Sequence, residues 1–146
     1  MPCKVKAWRR PIPPNSALNR LSDGNPYIRH LAVKWLADAR PRSDVAVPDL
    51  IERMADEDWL VVTSVILTLA DFGPLAAAAI PQIEPWLESP NEYIRLLAAT
   101  TIIKLDPSRT EFLPSIRAAT MSDHPVVQSF AREFFGDGED RYGRMK

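Results

Sequence analysis

Apolar residues recur along this chain at helical spacing. Ile28, Leu31, Ala32, Trp35 and Leu36 mark one stripe at i, i+3, i+4, i+7 and i+8, the face that an amphipathic α-helix turns toward a core. Thirty-three residues later the equivalent positions are Val61, Ser64, Val65, Thr68 and Leu69. The same step leads on to Ile94 in IRLLAATTIIKL and to Val127 in VQSFAREFFGDG. A second set of markers keeps the period: Pro48, Pro81 and Pro114 follow Val47, Ile80 and Leu113, and lie two residues before Leu50, Ile83 and Ile116. Two independent marker sets with one period define an internal repeat.

The repeat resolves an ambiguous stretch. Leu60 to Ala70 carries no charge and is rich in β-branched residues, a composition open to a membrane span, a buried strand or a buried helix. Eleven residues are about half of the ~20 needed to cross a bilayer. A strand here would contradict helices at the same positions of the neighbouring units. The stretch is therefore expected to be a helix, because packing overrides intrinsic propensity. Each unit then holds two helices, the first over 15–22, 45–55, 78–88 and 111–121, the second over 26–38, 59–71, 92–105 and 125–135. Asn25 before Pro26, Ser89 with Glu92, and Asp123-His124 before Pro125 read as helix starts. Gly73-Pro74 and Asp106-Pro107 read as stops. Stacked helical hairpins bury a core only between neighbours, which is an α-solenoid.

Across about residues 14–136 the chain resembles the HEAT-repeat family. That family places a proline in the first helix, an aspartate eight residues on, and an arginine six further. Pro48 and Asp56 keep the first spacing, and Asp23 and Arg29 the second; Pro81 and Arg95 fit with Ser89 replacing the aspartate. Asn15 stands where the first proline belongs, Val62 replaces the arginine of the second unit, and the last unit keeps only Pro114, with Ser122 and Gln128 in the other places. The resemblance implies an all-α, right-handed α-solenoid of about four HEAT-like helical hairpins with a 33-residue period, in units of about 14–38, 44–71, 77–105 and 110–136. A basic Pro-rich arm, 1–13, precedes this single repeat domain and a tail, 137–146, follows it. By the resemblance, Asp23, Arg29, Asp56 and Arg95 form a side-chain ladder that ties adjacent units.

The 146 residues have a formal charge of −1, but residues 1–42 balance at +7 and residues 43–92 at −9. The one cysteine, Cys3, excludes an internal disulfide and favours a reducing cytoplasm. Catalytic patterns are missing. His30 and His124 are far apart in sequence, GDGED lacks the lysine of a phosphate loop, and Asp56-Glu57-Asp58 lacks calcium-loop spacing. No metal, no cofactor and no enzymatic activity are expected. A bilin-lyase-like HEAT enzyme rests on fold analogy alone.

In HEAT-like solenoids the second helices line the concave side. Positions opposite their core stripe are His30, Val33 and Lys34, then Thr63, Ile66 and Leu67, then Leu96, Thr100 and Ile103, with Arg132 in the last unit. An apolar strip of Ile66, Leu67, Leu96 and Ile103 is expected to be exposed there as a groove for another protein or peptide, with homodimerisation and burial within the chain itself as the competing readings. Trp59 and Trp86 are candidate anchors, and Asp49, Glu52, Glu84 and Glu88 would draw a basic partner. Nucleic acid is the alternative, through Lys4, Lys6, Arg9, Arg10 and Arg20 interleaved with Trp8. The pI of about 6.1 and the acidic middle disfavour it. No membrane association is expected.

Overall fold

The computed structural model describes residues 14–39 and 43–136. Its helices are α1 (Pro14–Arg20), α2 (Pro26–Ala39), α3 (Ser43–Arg53), α4 (Trp59–Phe72), α5 (Ile80–Ile83), α6 (Glu92–Leu105), α7 (Leu113–Ala119) and α8 (Pro125–Phe135). No strand occurs among the described residues. The expected arm at 1–13 and tail at 137–146 lie outside them, with Cys3 and the basic residues of the arm.

The turns that start the long helices share one construction. Asp23, Asp56, Ser89 and Ser122 each accept a hydrogen bond from the backbone N–H two residues on, at 2.8, 2.9, 3.2 and 3.2 Å. Asn25, Asp58 and Asn91 then accept from Tyr27 N, Leu60 N and Tyr93 N, each at 2.9 Å. These oxygens satisfy amides that have no partner in the first helical turn. The helix start expected at Ser89 with Glu92 is thus corrected: Asn91 is the cap of α6, and Ser89 shapes the turn before it.

α4 is helical although its residues favour strands, because Val61, Val62, Val65, Ile66 and Leu69 are all buried. Each fully buried side chain of this size contributes about 1.5–3 kcal/mol, which exceeds a propensity penalty below about 1 kcal/mol per residue. The helix stops at Gly73, whose φ of 60° and ψ of −139° suit only a residue without Cβ. Trp59–Glu88 has the length and the mean hydropathy, 1.8, of a membrane-spanning segment. The chain turns at Gly73 within it, so no single straight helix runs its length.

The stretch expected as one helix over 78–88 is broken. Residues Gly73–Ala79 and Glu84–Glu88 wind as 3₁₀ turns on either side of the four-residue α5. Pro74, Pro81 and Pro85 each remove a backbone donor, and Ala76 leaves helical geometry at φ −101°, ψ 16°. Pro81 and Pro114 sit in the first turns of α5 and α7, where a missing N–H costs nothing.

α2 packs on α4, α4 on α6 and α6 on α8. α1, α3, the 73–88 segment and α7 form a second layer against them. The larger core joins Leu36, Leu50, Val65, Leu69, Ile83, Leu97 and Ile102, while a smaller one joins Leu96, Ile103, Ile116 and Val127. Trp35 and Trp86 pack against the larger core, and Phe130, Phe134 and Phe135 against the smaller.

Candidate functional site

Of the four residues expected to form a ladder, two meet side chain to side chain, joining α2 to the turn before α4. Arg29 on α2 donates from Nε to Asp56 Oδ2 at 2.7 Å and from Nη2 to Asp56 Oδ1 at 2.8 Å. Its Nη1 reaches the Asp23 carbonyl at 2.9 Å. Asp23 spends its carboxylate on its own turn, so its link to Arg29 runs through the backbone. Arg95 likewise donates to the Ser89 carbonyl, at 2.6 Å, where an acid is missing. Of the ladder expected of Asp23, Arg29, Asp56 and Arg95, the Arg29–Asp56 contact runs side chain to side chain, while Asp23 and Arg95 take part through backbone carbonyls. Burial pushes the Asp56 carboxyl up, but the Arg29 hydrogen bonds, the Asp58 N–H and the charges of Arg29 and Arg53 outweigh it and hold it below its ordinary value.

The expected exposed strip is also corrected. Val33, Ile66 and Ile103 are fully buried, and Thr63, Leu96, Ala99 and Thr100 nearly so. Second helices packed side by side cover each other's flanks, so residues on those flanks join the core. Leu96, 5 % exposed, borders a cavity of about 490 Å³ with Leu87, Phe112 and Ile116, on the side of the other layer. The Thr63 and Thr100 hydroxyls turn back to the carbonyls of Trp59 and Leu96, at 3.0 and 2.9 Å.

A groove does open on the second helices, one unit nearer the N-terminus. It encloses about 440 Å³ between α2 and α4 and is lined by His30, Lys34, Asp38, Trp59, Leu60, Thr63, Leu67, Asp71 and Tyr93, among others. Trp59 is 67 % exposed, Leu67 41 % and Leu60 39 %. Tyr93 also borders a second hollow, of about 360 Å³, with Val126, Phe130 and Glu133. The apolar edge thus runs on past α6, with Tyr93 packed edge-on to Phe130 at 5.5 Å. Arg132 is exposed on α8 and lines neither space.

Within the groove His30 Nδ1 lies 2.6 Å from Ser64 Oγ, which lies 2.8 Å from the Leu60 carbonyl. Serine has one hydroxyl hydrogen, so both contacts are hydrogen bonds only when Nδ1–H donates to Oγ and Oγ–H donates to Leu60. Burial, then the Lys34 charge, push the His30 pKa down against the opposing pull of Asp58.

Sequence reasoning passed over Leu60, Tyr93, Asp38 and Asp71 as lining residues. A signal was present: Tyr27, Leu60, Tyr93 and Val126 stand at one repeat position, and three of them are large exposed hydrophobics. Among the described residues, no three His, Cys, Asp or Glu side chains gather to hold a metal ion.

A stack of short helical pairs fastened at the turns, with a groove along one layer, is the build of a helical-repeat protein. The model of the HEAT-repeat family matches residues 14–102, and the chain belongs to that family. No curated protein matches it.

Proposed function

We propose that this chain is a non-catalytic protein-interaction module of the cytoplasm. In this reading residues 14–136 form one right-handed solenoid of about four HEAT-like hairpins on a 33-residue period. A partner protein or peptide lies along the second helices, over the groove between α2 and α4. The observation that carries the reading is Trp59, 67 % exposed at the mouth of that groove beside Leu60 and Leu67. A tryptophan held out to solvent over an apolar hollow is the side chain most often found as a binding anchor. The described residues balance at −7, which weighs against a polyanion as the ligand.

The test places a photo-crosslinking amino acid at Leu67 in the full chain, in cells. Discrete adducts with another protein that disappear in Trp59→Ala support the reading. Adducts only between copies of this chain, or adducts indifferent to Trp59→Ala, would sink it.

A further inference from the structure

The ends of the helices carry information about the ligand. Carbonyl groups at a helix C-terminus concentrate negative potential, and a basic residue in the last turn ordinarily offsets it. α1, α3, α6, α7 and α8 follow this rule with Arg20, Arg53, Lys104, Arg117 and Arg132. Besides the four-residue α5, the exceptions are the two helices that form the groove. α2 and α4 have no basic residue in the last turn and carry Asp38 and Asp71 there instead, at equivalent repeat positions. Both carboxylates are exposed, both line the groove, and neither forms an ion pair or hydrogen bond with a described residue. Lys34 lines the groove one turn before Asp38 without pairing with it. Arg40 and Arg42, which follow α2, lie outside the described residues; Asp71 is followed by Phe72, Gly73 and Pro74, with no cation near it in sequence.

Two carboxylates and two helix C-termini therefore converge at one end of the groove, with Trp59 and Leu60 at the other. Such a placement weakens the free fold and strengthens attraction for a cation. We propose that the groove takes a basic peptide segment of a partner protein. An apolar side chain of that segment rests on Trp59 and Leu60, and a lysine or arginine lies between Asp38 and Asp71. This rests on the reading of the groove as a protein-binding site and adds the partner's chemistry and direction. Trp59 to Asp71 spans three turns of α4, about 18 Å at ~1.5 Å per residue. The ligand's apolar and basic residues are thus about five apart in an extended segment, or about twelve in a helix.

The test pans a phage library of random 16-residue peptides on the full chain at low salt and discards phage that also bind Trp59→Ala. The surviving peptides, synthesised, are titrated by fluorescence anisotropy. The expected result is an excess of Lys and Arg over the library. Binding is expected to weaken roughly fivefold to tenfold in Asp38→Asn/Asp71→Asn, and about half as much on a logarithmic scale in Asp71→Asn alone. The loss should shrink as salt rises. Trp59-dependent peptides with no basic excess, or bound equally by the double variant, overturn the charge inference and leave the groove reading standing. No Trp59-dependent peptide overturns both. If replacing Lys4, Lys6, Arg9 and Arg10 by serine tightens peptide binding severalfold, the chain's own arm fills the groove and the partner segment is overturned. Dimers in light scattering that the double variant dissolves would overturn it in favour of a second copy.

Discussion

Arg29 and Asp56 hold each other through two parallel hydrogen bonds of 2.7 and 2.8 Å between α2 and the turn that leads into α4, with side chains only 10 % and 3 % exposed. Buried ion pairs stabilise little relative to an apolar pair, yet removing one partner strands the other. Asp56→Ala and Arg29→Ala should each cost roughly 3–5 kcal/mol. Arg29→Met with Asp56→Leu should recover much of that loss. Urea unfolding followed by circular dichroism reads the difference; single losses below about 1 kcal/mol would assign the pair to the exposed class.

Acid should weaken the fold in two steps. His30 is held below its ordinary 6.5, so as pH falls through 6.5 the unfolded chain takes up a proton before the folded one, and stability declines until the folded imidazole also protonates. Asp56 is held below its ordinary 3.8. Its contribution is complete above that value and is lost as pH falls toward the folded pKa. Unfolding free energy measured against pH should flatten around pH 6 in His30→Gln and below pH 4 in Asp56→Asn. Unchanged slopes in those variants would refute the assignments.

Leu67 and Leu96 separate surface from core. A charge at Leu67, 41 % exposed, should change stability by about 0.5 kcal/mol or less. Leu96→Asp puts a carboxylate where 5 % of the residue is exposed and should cost several kcal/mol. Equal melting temperatures for the two variants would contradict this placement.

Asp71→Lys should raise stability by about 0.3–1 kcal/mol, because a cation suits the last turn of α4. The same change should weaken a basic ligand. A variant that is both more stable and a poorer binder marks the carboxylate as kept for recognition. A loss of stability would instead show that Asp71 has a structural partner.

The all-helical character, the long helices α2, α4, α6 and α8 and the stops at Gly73 and Asp106 were legible because they depend on residue type at fixed spacing. Burial of Ile66 and Ile103 was not, since both sides of a central second helix are covered and periodicity alone cannot tell a flank from a free face. The cap at Asn91 hid behind Ser89, because both oxygens accept amides in the same turn. The groove itself needed the packing of α2 on α4, which no single helix pattern contains.

α6 belongs to both cores. Leu97, Ala98, Ile102 and Leu105 are part of the larger, while Leu96, Ala99 and Ile103 are part of the smaller. Such a shared wall decides how far a disturbance spreads. Ile116→Ala should speed hydrogen exchange in α7 and α8 while leaving α2 and α4 protected, whereas Leu97→Ala, on α6 itself, should release the whole described body in one cooperative event. Uniform acceleration in both variants would mean a single unit of opening. Coupling in this molecule then runs mainly through α6, supplemented by Leu87, Phe112 and Phe130, which touch both cores, and the last pair can breathe without unmaking the groove.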